Sequence, residues 1–263
     1  MALFGNKKDE KSKRGKGGYH FSKDDQKKIL CAESPFVVKE AYSSIRTNLL
    51  FTQQGEECPI FVITSPTANN GKSINSINLA VSFAQMGKRT LLIDADMRNP
   101  TIHRLFSIPV KNGLSEILAG LTDNISVTKT NVENLSVLTA GKIPPNPSEL
   151  LSSERMDKLL SFVKQHYDCV FIDTPPVNLV TDPTSFASKV TGYIIIVKSG
   201  VTDTQSTKRA VTSLTNVGAN VVGFVLNDIV ESNGLKYYSY GKYRGYRYKY
   251  RYGYNYNYNY NYR

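Results

Sequence analysis

Tryptophan is absent from the 263-residue chain, and cysteine and histidine occur three times each. Cys31, Cys58 and Cys169 are far apart, with no CxxC pair and no Cys/His cluster. That excludes a zinc ribbon or a disulfide framework and is the usage expected of reduced thiols in a cytosolic protein. His20, His103 and His166 stand in unrelated contexts, so no metal triad is expected of them. No apolar run approaches the ~18 residues that would cross a bilayer, and the basic N-terminus lacks the apolar core of a signal peptide. Membrane association is therefore expected to run through a partner or the basic ends. Acidic residues are missing from 237–263, a stretch that holds 13 of the 17 tyrosines.

Charge divides the chain in three. Residues 1–30 carry nine basic and four acidic groups, and 236–263 carry seven basic and none acidic. Between them, 31–235 are nearly neutral, with 17 basic against 18 acidic groups, although the whole chain carries +11. The reading is one domain over 31–235, a flexible basic arm over 1–30 and a disordered tyrosine-rich tail over 236–263. A neutral domain argues against a broad nucleic-acid-binding face, and no nucleic-acid partner is expected; basic ends suit anionic lipid or acidic partner segments. The Tyr-Asn alternation of 254–262 has strand period, but Asn and Gly form strands poorly. Taken alone the tail is a sticky segment, a nucleic-acid binder or a phosphorylation substrate.

Short β-branched runs at 60–64, 90–93, 170–172, 193–197 and 221–226 alternate with helical patterns at 35–51, 73–86, 114–119, 153–165, 183–189 and 204–217. Uninterrupted apolar strands are those covered on both faces. The expected fold is therefore a three-layer α/β domain, a mostly parallel sheet with helices on both sides. Residues 141–147, with three prolines, read as a surface crossing.

Asn69-Asn70-Gly71-Lys72-Ser73-Ile74 falls between the first strand and its helix. A loop there aims backbone N–H groups and a helix N-terminus at one point, which suits a phosphate chain. Lys72 would neutralise phosphate oxygens and Ser73 would ligate Mg²⁺. The match is imperfect, since Pro66 stands where the phosphate-loop pattern begins with Gly. Two other apolar runs end in carboxylates, at Asp94-x-Asp96-x-Arg98 and at Asp173-Thr174-Pro175-Pro176. In an open parallel sheet those strand ends share one crevice with the loop, and hard carboxylate oxygens there suit Mg²⁺.

This set, Gly71-Lys72-Ser73, Asp94-x-Asp96-x-Arg98 and Asp173-Thr174-Pro175-Pro176, resembles the bacterial tyrosine kinases of capsule and exopolysaccharide systems. The resemblance covers roughly residues 32–227 and takes in 141–151, GKIPPNPSELL; a tyrosine-rich end is a mark of that family. It implies a P-loop NTPase fold of the MinD/ParA type and an ATP- and Mg²⁺-dependent protein-tyrosine autokinase. Lys72, Asp94, Asp96 and Arg98 would be catalytic, with Asp94 or Asp96 the proton acceptor. Residues 69–74 and Asn227 would hold ATP, and Ser73, Asp96 and Asp173 the metal. For Asn227 a simple strand-end turn is an equal reading. The acceptors would be Tyr237, Tyr238, Tyr240, Tyr243, Tyr246, Tyr248, Tyr250, Tyr252, Tyr254, Tyr256, Tyr258, Tyr260 and Tyr262. Further implications are a cytoplasmic protein brought to the inner membrane face by a membrane activator (a polysaccharide co-polymerase), a ring-like homo-oligomer and a cognate phosphotyrosine phosphatase.

Two departures stand out. The family's loop has Pro-Gly-x-Gly-Lys-Ser where this chain has Ala68-Asn69-Asn70-Gly71-Lys72-Ser73, and Asn is the substitute that best tolerates left-handed backbone. The family's oligomerisation helix reads E-x-x-R-x-x-R, and here Glu40 and Arg46 remain while Ser43 replaces the first Arg. Glu40 and Arg46 are six apart and do not share a helix face, so they are expected to meet partners across an interface. One rival is a MinD/ParA-like ATPase without kinase activity, whose members carry an extra Lys early in the loop; none lies between Ser65 and Gly71. Another is a catalytically dead adaptor whose tail binds single-stranded nucleic acid.

Overall fold

Five unbroken β-branched runs become strands, as their composition requires, and two shorter strands join them. The computed structural model describes residues 23–52 and 55–229. In chain order the elements are α1 (Lys23–Gln26), α2 (Phe36–Thr52), β1 (Ile60–Thr64), α3 (Lys72–Ala84), β2 (Thr90–Asp94), α4 (Ile102–Leu105), α5 (Leu114–Leu118), β3 (Thr128–Lys129) and β4 (Leu135–Leu138). There follow α6 (Pro147–Leu151), α7 (Glu154–His166), β5 (Cys169–Asp173), a 3-10 turn (Asp182–Phe186), β6 (Gly192–Lys198), α8 (Thr204–Thr215) and β7 (Val221–Asn227). The thirteen tail tyrosines lie outside the described residues.

The seven strands run in the order β3-β4-β2-β5-β1-β6-β7. β3 pairs antiparallel with β4, and the other pairings are parallel. Side chains of the central strands alternate between two cores. Val62, Ile93, Ile172 and Ile195 pack with Leu114, Leu151, Leu159 and Leu214 from α5, α6, α7 and α8. Phe61, Leu92, Phe171 and Ile194 face Leu49 of α2 and Ile77 and Val81 of α3. Every residue of β1, β2 and β5 is buried, which is why these strands carry no polar alternation. At ~25 cal/mol per Å² of apolar area, each such side chain contributes roughly 1.5–3 kcal/mol. Three layers around a mostly parallel sheet is the architecture the apolar runs called for.

The differences are local. Residues 23–30 are not part of a free arm: α1 is folded there, Leu30 is buried, and the Leu30 N–H donates to Asn78 Oδ1 at 2.8 Å. The expected boundary at residue 30 therefore moves into the preceding segment. The helix expected over 183–189 is a 3-10 turn, with Pro183 in its first turn. The proline crossing at 141–147 leads directly into α6, where Pro147 occupies a first-turn position that needs no N–H. β3 and β4, of two and four residues, are too short to show periodicity. No helix among the described residues is long and apolar enough to cross a membrane.

Glu116 fastens the 141–151 segment to the fold. Its carboxylate accepts from the N–H groups of Gly113 and Lys142, at 2.9 and 3.1 Å, and from Ser115 Oγ at 3.0 Å. Burial opposes its charge, but those donors win and hold its carboxyl below the usual range. Gly141 has φ 81°, and a Cβ there would lie 2.0 Å from Glu116 Oε2. Gly141→Ala is expected to cost about 2–3 kcal/mol, from left-handed strain plus displaced buried hydrogen bonds. Urea unfolding would show this as a lowered midpoint at unchanged slope.

Candidate functional site

Between β1 and α3 the chain turns through residues 65–71. Asn69 and Gly71 have φ of 62° and 85°, so Asn69 takes the left-handed turn that the expected pattern gives to glycine. Polar side chains fix the loop. Asn70 Nδ2 donates to Ile196 O at 3.4 Å, and the Asn70 carbonyl accepts from Asn227 Nδ2 at 2.9 Å. The Gly71 carbonyl accepts from Asn75 Nδ2 at 2.9 Å. A Cβ on Gly71 would sit 2.2 Å from Asn227 Nδ2, so this position excludes any larger residue. Asn227 thus closes β7 against the loop.

Strand register brings the charges together. Asp173 aligns with both Ile63 of β1 and Asp94 of β2, placing three strand ends level. Lys72 Nζ, at the start of α3, lies 2.8 Å from Asp96 Oδ2 and 3.5 Å from Asp173 Oδ2. Ser73 Oγ donates to Asp173 Oδ2 at 2.7 Å, and Ser76 Oγ to Asp173 Oδ1 at 2.9 Å. Burial works against the Lys72 charge, but Asp173 and Asp96 outweigh it and hold its proton above the usual lysine range. Burial raises Asp173, against the pull of Lys72 and Ser73.

The two carboxylates that the sequence leaves interchangeable have different work. Asp94 is fully buried; its Oδ2 accepts from the N–H groups of Thr101 and Ile102, at 3.2 and 3.1 Å, and its Oδ1 from the N–H of Asp96 at 3.3 Å. Burial, then the charges of Asp173 and Asp96, push its carboxyl up to about 8. Asp94 therefore organises the turn into α4, whereas Asp96 lines the open cleft beside Lys72. Arg98 also lines that cleft, but its guanidinium forks onto Asp182, Nε to Oδ2 at 2.8 Å and Nη2 to Oδ1 at 2.9 Å. Ser148 Oγ adds a bond to Asp182 at 2.5 Å. Burial opposes the Asp182 charge; Arg98 and Ser148 prevail and depress its carboxyl below the usual range.

Asp182 and Ser148 are site residues that the sequence reading missed. Asp182 sits before a proline like an ordinary turn residue, and nothing along one dimension pairs it with Arg98, 84 residues away. Thr101 was missed as well: it lines the cleft, and its hydroxyl is buried with no hydrogen-bond partner among the described residues. The expected interface pair separates. Glu40 is exposed, while Arg46 turns inward, donating to Ser82 O at 2.7 Å, Ser82 Oγ at 3.0 Å and Ser43 Oγ at 3.2 Å. Ser43, standing where the pattern has Arg, supports that inward arginine.

The cleft holds about 580 Å³. Its lining includes Lys72, Ser73 and Asp96 together with Pro35, Val38, Pro176 and Leu179. A lining that mixes charged groups with apolar side chains suits a phosphorylated ligand with an organic part. The donor set also fits Mg²⁺: Ser73 Oγ with Asp96 and Asp173 is all hard oxygen, and two carboxylates beside one ammonium leave negative charge to balance. No group of three or more His, Cys, Asp or Glu among the described residues could hold a metal. An ion here would complete its shell with phosphate oxygens and water.

Known proteins share this architecture. A family model described as an AAA domain matches residues 62–220. The putative tyrosine-protein kinase CapB of Staphylococcus aureus is 41% identical over 207 residues, 78% of this chain and 91% of that protein. Tyrosine-protein kinase YwqD of Bacillus subtilis is 36% identical over 214 residues, 81% of this chain and 90% of that protein. The kinase domain of Escherichia coli tyrosine kinase ETK matches with a TM-score of 0.71 at 35% identity, over 77% of this chain and 80% of that one. The chimerical protein CapA2B2 gives 0.69 at 39% identity, over 74% and 85%. The septum site-determining protein MinD from Pyrococcus horikoshii OT3, complexed with Mg-ADP, gives 0.55 at 22% identity over 64% and 70%, a likeness of fold alone.

Two outcomes follow from the geometry. Gly71→Ala is expected to abolish nucleotide binding, and Asn227→Ala in the same chain to restore part of it by removing the clash; equilibrium titration with a fluorescent ADP analogue measures both. Asp182→Asn is expected to cost about 2–3 kcal/mol, less than the ~3–5 of a fully buried pair because Arg98 is partly exposed. Since the folded carboxyl of Asp182 is depressed, its stabilisation is complete above the unfolded value near ~3.9 and is lost as pH falls through the folded one. Acid unfolding of the native chain is therefore expected to be steeper below about pH 4 than that of Asp182→Asn.

Proposed function

The chain belongs to the bacterial tyrosine-protein kinases, and we propose that it is an ATP-dependent autokinase whose acceptors are its own C-terminal tyrosines, acting in capsular or exopolysaccharide synthesis or export. The observation that carries this reading is Lys72 held between Asp96 and Asp173 at level strand ends, with Ser73 bonded to Asp173. Phosphoryl transfer asks the protein for positioning and charge stabilisation rather than covalent chemistry. Lys72 would exchange its carboxylates for the β- and γ-phosphate oxygens. Mg²⁺, when bound through Ser73, Asp173 and Asp96, would supply shielding of the charge on those phosphates. A tyrosine hydroxyl with a pKa near ~10 needs a proton acceptor at neutral pH. Asp96, which lines the cleft beside Lys72, takes that role; Asp94, which does not line it and is enclosed by backbone donors, does not. Arg98 acts through Asp182 as a positioning residue for the turn that carries Asp96.

The adenine contact expected of Asn227 would have to share an amide already donating to Asn70 O. The apolar side chains of the cleft lining, Pro35, Val38, Pro176 and Leu179, offer the base contacts in its place. A 28-residue segment obeying random-coil statistics would span about 30 Å, enough to reach the site of a neighbouring copy. Each phosphotyrosine adds up to about two negative charges. Several of them would outweigh the seven positive charges of the tail. The partners this reading entails are further copies of the chain, a membrane activator that draws it from the cytoplasm to the inner membrane face, and a phosphotyrosine phosphatase, with no nucleic acid. The rival is an ATPase of the same fold that makes no phosphotyrosine.

Mixing a Lys72→Met chain that keeps its tail with an active chain lacking 236–263, in labelled ATP and Mg²⁺, tests transfer between copies. Phosphotyrosine on the Lys72→Met tail is the expected result. ATP hydrolysis with an unlabelled tail would favour the rival.

A further inference from the structure

Helix α3 sets its apolar side on the sheet, while Asn75, Asn78 and Ser82 are buried as well. Buried amides and hydroxyls are costly unless each finds a partner. Tyr42 of α2 supplies the central one. Its hydroxyl donates to Asn75 Oδ1 at 3.0 Å and accepts from Asn78 Nδ2 at 3.1 Å. Asn78 in turn holds the segment before α2, through Leu30 N at 2.8 Å and Lys28 O at 3.0 Å. Asn75 continues in the other direction, its Nδ2 donating to the Gly71 carbonyl at 2.9 Å as a second bond beside the helical one from the Asn75 N–H at 3.0 Å. Burial raises the Tyr42 hydroxyl above its ordinary value, so it stays protonated and keeps its donor.

The last bond has a consequence for ligand geometry. A trans peptide is planar, so fixing the Gly71 carbonyl fixes the opposite face of the same unit, the N–H of Lys72. Asn227 does the same one unit earlier: holding the Asn70 carbonyl fixes the N–H of Gly71. Successive N–H groups held in one orientation are what an anion-binding loop uses. No part of the catalytic reading employs Tyr42 or Asn75.

We infer that Tyr42 and Asn75 are positioning residues for the nucleotide: through the Gly71 carbonyl they aim the Lys72 N–H, and they couple helix α2 to the phosphate loop. The inference rests on the loop being a nucleotide site, as the proposed function has it. Tyr42 acts through Asn75, so their effects are not independent.

The test measures binding of a fluorescent ADP analogue with Mg²⁺, KM for ATP, kcat for tail phosphorylation and Tm. The variants are Tyr42→Phe, Asn75→Ala, the pair together, and Leu49→Ala as a control that loosens α2 from its core without touching the network. Loss of one neutral hydrogen bond corresponds to about a fivefold to tenfold change. Tyr42→Phe and Asn75→Ala should raise Kd and KM by that factor with kcat within about twofold, and the double variant should be no weaker than Asn75→Ala. Leu49→Ala should lower Tm with Kd unchanged. Additive losses, an unchanged Kd in Asn75→Ala, or a Kd that follows Tm through all four variants would overturn the inference. A native chain that binds the analogue but makes no phosphotyrosine defeats the kinase reading alone, since Kd still decides this one; a chain that binds no nucleotide defeats both.

Discussion

One buried ammonium holds the functional end of this sheet together. Lys72 faces Asp96 and Asp173 across 2.8 and 3.5 Å, contacts worth roughly 5 kcal/mol each at an effective dielectric near 20, against a desolvation cost of several kcal/mol per ion. Without that cation, the carboxylates of Asp96 and Asp173 would repel one another at the mouth of the cleft. The parallel register that brings Ile63, Asp94 and Asp173 level is therefore tied to the position of one lysine, and that lysine to the start of α3. Phosphate loop, strand ends and first helix form one electrostatic unit.

Around it, polar groups are spent on geometry rather than on reaction. Asp94 gives its oxygens to backbone donors of the turn before α4, Asp182 grips Arg98, and Glu116 ties 113–116 to 141–142. All three are buried; Asp182 and Glu116 are anions with donors from two separated segments, and Asp94 is held within its own turn. Such carboxylates cost more to desolvate than neutral groups, but their bonds are stronger and fix direction. The loops that carry Asp96 and residues 141–151 are held by these anchors; neither loop has a regular element along its whole length.

How much of this the sequence disclosed follows from the range of each interaction. Unbroken β-branched runs announced the central strands, because burial on both faces acts residue by residue. That Gly71-Lys72-Ser73, Asp94-x-Asp96 and Asp173 would come together was legible, since each follows a strand and parallel strands share one open end. What distinguishes Asp94 from Asp96 was not, for it depends on which oxygen meets the backbone of Thr101 and Ile102. The inward turn of Arg46 was hidden likewise: its partner Ser82 is on another helix, and a spacing rule sees one helix at a time. β3 and β4 exist by pairing with β2's side of the sheet, and their own few residues contain no periodic signal.

Asn70 precedes Gly71, and that pair has a chemical lifetime of its own. A glycine nitrogen is the least hindered of backbone nucleophiles toward a preceding asparagine side chain; its attack on Cγ expels ammonia and closes a succinimide, which water opens to aspartate or isoaspartate. In this fold Asn70 is buried, and its amide is bonded to Ile196 O and Thr67 Oγ1, so the rotation that attack requires waits for the loop to open. A converted residue would set a new negative charge in the turn that leads to Lys72, or insert an extra backbone carbon into it. Asn70 thus makes the loop's ageing depend on how well it is held shut.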